Sequence, residues 1–546
     1  MDAPQWYWLG HRCSFEPGPA SVAAEEGREH VRTREFSCAL LPRYHIDGGS
    51  EPGYGYLIAP LIEPATAVRR EIAMTSSILI RGGQVLLGPG GGERPHYEAV
   101  VADLLVVDGR IARIEPEIAA PDVELLAADG TLVIPGFVDT HRHNWQAAFR
   151  SVASDWTLAQ YANAIHGLVK PHMTPEDMAL AVVAGRAEAL LSGVTTMVDW
   201  AHGVSSPEHA DAVLSGLLDV PGRSVLAYAG GWGLNSDEPI GEEIARVTAA
   251  VRAAGSDLLT PALGLRGPQY SSLATTADDV RTARSLDIPV SVHGGSAGWG
   301  RNRPVGQLEK AGLLDERTTV IHGNTLADDE LRMIADRGAS ASVSADAEIH
   351  MGFGWPATGR LLAAGVRPSL SIDDCAAVGG DMFRALHSTL VAERGVASAA
   401  DDRAPDRRGL ALRAADVFEF ATYRGARACG FEDLGMIRVG AQADLIVLDI
   451  SDLSMAPANH PVGAIVGSGH PGLVRDVLVA GRVVKRAGRP VGVDIAGLVA
   501  RLVDSRERIL DRIAQSTGQR PATDGSWNPP TTGYTSEDAR RSAAAR

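Results

Sequence analysis

From about residue 137 onward, short β-branched apolar runs alternate with longer segments rich in Ala, Leu, Glu and Arg. The runs Phe137–His141, Thr195–Asp199, Ser224–Tyr228, Ala262–Leu265, Pro289–His293, Thr318–His322, Ser340–Ser344 and Pro368–Ile372 read as buried strands bounded by turn residues. Between them, Pro175–Ser192, Glu242–Ala254, Ala327–Arg337 and Ala357–Ala364 carry helical spacing. Eight strands, each followed by a helix, predict an α/β fold of the TIM type, a (β/α)8 barrel, over 137–436. An open doubly wound sheet fits less well. No Gly-rich phosphate fingerprint follows an early strand, and Gly88-Pro-Gly-Gly-Gly-Gly92 reads as a hairpin loop.

The flanks carry a different pattern. Ile78–Val85, Asp103–Ile111 and Leu132–Gly136 precede the barrel, and Ala443–Asp449 and Asp476–Val484 follow it, all strand-like, with a turn at Asp108-Gly109. They predict a small composite β-sandwich built from 74–136 and 437–490, then a C-terminal helix over 491–517. Residues 1–73 are broken by Pro and Gly and read as a flexible extension, with Met74 opening the folded part. Residues 518–546 are rich in Ser, Thr, Pro, Gly and Arg and read as a disordered tail.

Charge and composition narrow the class. With 546 residues, 45% of them hydrophobic, the chain has ample material for a large core. The net charge of −16 argues against nucleic-acid or anionic-membrane partners, which need a basic footprint. No apolar run reaches the ~18–20 residues of a membrane span. Cys13, Cys38, Cys375 and Cys429 are too dispersed for a disulfide framework or a CxxC zinc site. The expectation is a cytoplasmic enzyme with a small-molecule substrate.

Strand direction then sharpens the chemistry. His141 and His143 are two apart, so on an extended strand both imidazoles face one side, with Arg142 opposite. His293, His322 and Asp373 each close or follow another apolar strand, and chemistry on this fold lives at those strand ends. Imidazole and carboxylate are good zinc ligands, and three His with one Asp leave room for a water. His202, a lone strand-terminal histidine, reads as structural.

Pro135-Gly-Phe-Val-Asp-Thr-His-Arg-His143, Val292-His293, Ile321-His-Gly323 and Ile372-Asp373 resemble the amidohydrolase superfamily. The similar branch is that of cytosine deaminases, methylthioadenosine/S-adenosylhomocysteine deaminases and triazine hydrolases. The resemblance spans about 75–490, including Gly440-Ala-Gln-Ala-Asp-Leu-Ile-Val-Leu and Val479-Ala-Gly-Arg-Val-Val in the flanking strands. It implies that His141, His143, His293 and Asp373 hold one Zn²⁺ (or Fe²⁺), with His322 beside the attacking water and Asp373 also moving its proton. It further implies hydrolysis of a C–N bond in a small heterocyclic or aromatic compound. Amide, carbamate or dechlorinating hydrolysis is the alternative, and a metal-free scaffold a third. A homodimer is common among look-alikes. Two-metal relatives use a carboxylated lysine at a strand end. The only lysines here are Lys170, Lys310 and Lys485, and none is on the fourth barrel strand.

One element of the resemblance is missing. Deaminases of this branch carry His-x-x-Glu on the fifth strand, whereas this chain reads His293-Gly-Gly-Ser296, and Ser is a poor general acid. Glu348, in the segment after the seventh strand, is the expected replacement acid. Arg266 stands where the family usually has a His and is expected to clamp a substrate carboxylate or carbonyl, unless it pairs with a nearby Asp, with Gln269 close by. Trp145, Trp156, Trp232, Trp299 and Trp355 follow strands, and Trp145, Trp299 and Trp355 are the expected flat walls for a ring.

Overall fold

A computed structural model describes residues 77–90, 94–230, 237–400 and 409–531. The expectations for 1–73, for Cys13 and Cys38 and for Trp232 lie outside the described residues. The N-terminal strands are β1 (Ile78–Leu87), β2 (Glu98–Val107), β3 (Arg110–Glu115), β4 (Glu124–Ala127) and β5 (Thr131–Pro135). The barrel strands are β6 (Phe137–Arg142), β7 (Val194–Ala201), β8 (Arg223–Tyr228), β9 (Leu259–Leu265), β10 (Val290–Gly294), β11 (Thr318–His322), β12 (Ser340–Val343) and β13 (Ser369–Leu370). The chain closes with β14 (Leu445–Asp449), β15 (Val474–Val479), β16 (Arg482–Arg486) and β17 (Arg489–Pro490).

Strands β6 to β13 run in sequence order as one parallel eight-stranded sheet. The Asp373 N–H donates to the His141 carbonyl (2.9 Å) and the His143 N–H to the Asp373 carbonyl (2.8 Å), so the segment after β13 closes the barrel against β6. Every residue of β6, β7 and β8 is buried. Both faces of these strands are covered, which is why they read as unbroken apolar runs rather than alternating ones. Each expected strand is present.

Helices pack outside the barrel. That over Pro175–Leu191 starts where Thr174 and Asp177 exchange capping bonds and Pro175 occupies the first turn, a position where a missing N–H costs nothing. The expected C-terminal helix spans Ile495–Thr517, capped by Asp494, and Ser505 Oγ donates to the buried Asp177 at 2.6 Å.

Both flanks merge into a mixed nine-stranded sheet, ordered β17-β16-β15-β14-β5-β1-β2-β3 with β4 also on β1. The antiparallel pair β14–β5, Leu445 opposite Pro135 through Asp449 opposite Thr131, joins the two ends of the chain. Asp108 (φ 49°) and Gly109 (φ 77°) form the expected tight turn between β2 and β3. Gly136 links this sheet to the barrel, and a Cβ there would meet Thr195 Oγ1 at 2.1 Å.

The tail departs from expectation. Residues 518–531 were expected to be disordered, but Trp527 packs edge-on against Trp156 at 5.0 Å and its carbonyl accepts from the Trp156 indole. Asn528 accepts from Gln160 at 2.8 Å. The composition signal missed one aromatic anchor, which pairs an apolar ring with a polar handle.

Candidate metal centre

His141 and His143 leave β6 on one face, as the two-residue period requires, while Arg142 points outward to Glu188 and to Asn144. His293 is the penultimate residue of β10 and His322 closes β11. Asp373 follows β13. His322 and Asp373 hold φ near +75° and +74°, a left-handed conformation that non-glycine residues seldom adopt. Such strain, of order 1–3 kcal/mol, persists where the surrounding structure enforces it and clusters at functional sites.

The five side chains converge. Asp373 Oδ1 lies 3.3 Å from His141 Nε2 and 3.2 Å from His143 Nε2, and its Oδ2 lies 3.9 Å from His322 Nε2. Ligand atoms of His141, His293 and His322 form one compact buried triad, and those of His141, His143 and Asp373 a second, each within 4.8 Å. Nitrogen and oxygen ligands at ~2.0–2.1 Å from a tetrahedral zinc stand about 3.3 Å apart, so the spacing around Asp373 Oδ1 is that of a metal shell. Both His141 ring nitrogens are buried without an aligned hydrogen bond, an arrangement that a metal relieves. The residues present therefore fit a divalent metal.

Neighbouring groups fix the rings. His143 Nδ1–H donates to the Trp200 carbonyl at 2.9 Å, leaving its Nε2 lone pair for the site. His322 Nδ1–H donates to Glu348 Oε1 at 3.1 Å. Burial pushes His141 down to about 3, and burial likewise holds His293 well below the ordinary histidine value, so both are neutral. Burial also opposes charging of His322, but the Glu348 hydrogen bond and the Asp373 carboxylate outweigh it and raise this residue. For Asp373 burial works upward, yet the surrounding histidines hold it well below the carboxylate range.

A cavity of about 590 Å³ opens above the cluster. His143, His293, His322 and Asp373 lie at its floor, and Trp299, Tyr270, Met351 and Phe353 give it apolar walls. Trp299, one of the expected ring walls, lines the cavity and stands against Tyr270 with ring centres 4.7 Å apart.

Other expected contacts are corrected. Glu348 is not among the described residues lining the cavity. It sits on a short helix, Ala345–His350, fully buried behind His322, and its oxygens also accept from Ser344 N (2.9 Å) and Asn324 Nδ2 (3.0 Å). So engaged, the carboxylate faces His322 rather than the cavity. Arg266 likewise does not line the cavity. It is buried against Asp279 at 3.0 Å and donates to the Glu238 carbonyl. Gln269 accepts from Gly295 N at 2.9 Å and braces the backbone after His293. Trp145 is buried behind the wall, donating to His202 Nδ1 at 3.0 Å. Trp355 is 62% exposed and does not line the cavity.

Besides the apolar walls, other cavity residues escaped the sequence reading. His202, read there as structural, lines the cavity and lies 3.8 Å, ring to ring, from His143. It follows β7, so the strand-end rule that found His293 would have found it too. Asp374 lines the cavity next to Asp373. Tyr161 and His166 come from the irregular helical segment after β6, where no strand end marks them.

Comparison with known proteins places this architecture. A 5-methylthioadenosine/S-adenosylhomocysteine deaminase from Haloarcula marismortui is 29% identical over 75% of this chain and 93% of that protein. A 5'-deoxyadenosine deaminase from Methanothermobacter thermautotrophicus is 27% identical over 76% of this chain and 94% of that protein. Among solved structures, an adenosine deaminase from Xanthomonas campestris with bound zinc matches with TM-score 0.68 and 24% identity, covering 80% of this chain and 98% of that one. The atrazine chlorohydrolase from Arthrobacter aurescens complexed with zinc matches with TM-score 0.68 and 21% identity, covering 79% and 100%. The family model for the amidohydrolase family matches residues 132–484, from β5 through the barrel and its convergent histidines to β16, and the chain belongs to that family.

Proposed function

We propose that this protein is a mononuclear metal-dependent hydrolase that cleaves a C–N bond, releasing ammonia from a small nitrogen heterocycle. The observation that carries this reading is the convergence of His141, His143, His293, His322 and Asp373 from four strand ends on one buried cluster, with His143, His293, His322 and Asp373 lining the cavity. His141, His143, His293 and Asp373 would hold the metal, zinc in the zinc-bound structural neighbours. When bound, the metal supplies Lewis acidity and lowers the pKa of water from 15.7 toward about 7. None of the three lysines offers a bridge to a second ion: Lys170 donates to the His202 carbonyl, Lys485 to the Leu191 carbonyl, and Lys310 lies on an outer helix.

The two oxygens of Asp373 divide the work. Oδ1 faces His141 and His143, the ligand side, while Oδ2 faces His322 and is placed to accept a proton from the attacking water and return it to the leaving nitrogen. His322, fixed by Glu348, presents Nε2 toward the oxygen that develops charge at the attacked carbon. Trp299 and Phe353 hold a flat ring and exclude water. The acidic balance, the dispersed cysteines and the lack of a spanning helix among the described residues support a cytoplasmic enzyme.

Ser296 at the cavity wall favours one alternative, because a ring nitrogen receives no proton from it. An amide or carbamate carbonyl has no ring nitrogen to protonate. The zinc-loaded protein is therefore to be assayed for ammonia with adenosine, 5'-deoxyadenosine, 5-methylthioadenosine, S-adenosylhomocysteine and guanine, and for chloride with atrazine. We expect ammonia from at least one aminated compound. Chloride release without ammonia release would overturn deamination in favour of the alternative.

A further inference from the structure

One wall of the cavity above the metal centre is packed from one side only. Leu158, Ala159, Tyr161, Ala162 and His166 line the 590 Å³ space, and all five belong to the helical segment that follows β6. After one short helical turn, Leu158–Tyr161, the segment winds as a π-helix over Ala162–Val169. Such widened turns are rare, seldom run beyond a single turn, and are frequent at functional sites. A helix owes most of its stability to packing, so a segment that faces a cavity depends on what lies behind it. Behind it lies the C-terminal tail. Trp527 packs edge-on against the buried Trp156, ring centres 5.0 Å apart, and its carbonyl accepts from the Trp156 indole N–H at 3.0 Å. Gln160 Nε2 donates to Asn528 Oδ1 at 2.8 Å and to the Pro529 carbonyl at 3.2 Å, and Asn163 Nδ2 donates to the Pro530 carbonyl at 2.6 Å. Gln160 Oε1 also accepts from Thr157 N at 3.0 Å, so the residue that grips the tail caps the first turn as well. Leu158, Ala162 and His166, four apart, share the cavity face, while Gln160 and Asn163, three apart, share the face toward the tail. The tail is itself stiffened: Asp524 Oδ1 accepts from Ser526 N at 3.0 Å, and Pro529 and Pro530 fix φ.

We infer that residues 527–530 form a strap that holds the substrate-binding wall of 158–169 in place, so that the C-terminal tail sets substrate affinity although none of its described residues lines the cavity. Trp527 is a positioning residue, acting through Trp156 and the first turn of the wall. Released from the strap, the wall keeps its residues but loses its fixed place, and ordering it again on binding costs affinity. The inference goes beyond the hydrolase reading and draws on that reading only for a kinetic readout.

The test compares the zinc-loaded full chain with Trp527→Ala and Trp527→Phe by hydrogen exchange and by kinetics. Alanine removes the ring and leaves the backbone carbonyl, whereas phenylalanine keeps a ring for Trp156. Amides of 158–169 should exchange at least about tenfold faster in Trp527→Ala and within about twofold of the wild type in Trp527→Phe, while those of β6 and β10 stay protected. On the aminated compound from which the wild type releases ammonia fastest, Trp527→Ala should raise KM at least about fivefold, with kcat and zinc content within about twofold. A loss of uniform binding has that signature, and damage to the chemistry does not. Unchanged exchange across 158–169 overturns the inference, as does faster exchange with an unchanged KM. Loss of protection throughout the barrel in Trp527→Ala overturns it too, because the tail then serves general stability. Hydrogen exchange needs no substrate. If no compound releases ammonia, the hydrolase reading falls and the exchange result alone decides the strap.

Discussion

Asp373→Ala is expected to give a folded protein that has lost tight metal binding and at least about 10³-fold in turnover. Asp373 Oδ1 bridges the space between His141 and His143, so its loss removes the single anionic donor from a cluster of imidazoles. In the proposed mechanism its other oxygen, beside His322, accepts the proton, and a positioned acid–base group contributes about 10²–10⁴-fold by itself. The backbone bonds of residue 373 to His141 and His143 do not depend on the side chain, so barrel closure should survive. Alanine at φ 74° adds strain that is unrelated to chemistry. Asp373→Asn separates the two effects, since Asn tolerates the left-handed region. Both variants should be equally inactive, with Asn the more stable by thermal unfolding. Near-normal turnover in either variant would show that the proton passes elsewhere.

Glu348→Gln should cost about 10–100-fold in turnover while zinc content stays at the wild-type level. The expectation follows from its place behind His322: partners of this kind set ring orientation and basicity, and their loss typically costs that much. The direction of the accompanying pH change is also fixed. Glu348 favours the charged form of His322, so replacing the carboxylate by a neutral amide lowers the His322 pKa. Whichever limb of the pH–rate profile belongs to His322 must therefore move to lower pH. A direct acid acting on the substrate would behave differently. Its loss would fall hardest on the most basic leaving groups and would abolish a limb rather than displace it.

The sequence was most informative where one local rule sufficed. Strand β6 announces itself as an apolar run, its two-residue period sends His141 and His143 inward, and the strand-end rule adds His293, His322 and Asp373. What lies beyond those strand ends depended on tertiary contacts. Glu348 was expected to overhang the cavity, but the segment carrying it coils into a helix that turns the carboxyl toward Ser344 N, Asn324 and His322. Arg266 occupies a strand end and still serves structure, because Asp279, thirteen residues on, sits on the helix packed outside it. His202 shows the opposite error, a strand-end histidine set aside because it stood alone in sequence. Asp374 was overshadowed by its neighbour, and nothing in the run Ile372-Asp-Asp-Cys375 says that both acids line the cavity. Trp527 was hidden by the composition around it.

The central claim is that one metal held by His141, His143, His293 and Asp373 drives C–N hydrolysis. Its most direct test is a zinc titration of chelator-stripped protein with ammonia release as the readout, on the best aminated substrate from the assay described above. The account predicts no turnover without metal and a linear recovery that stops at one equivalent of zinc per chain. Recovery that continues to two equivalents, or turnover that survives complete removal of metal, would contradict it.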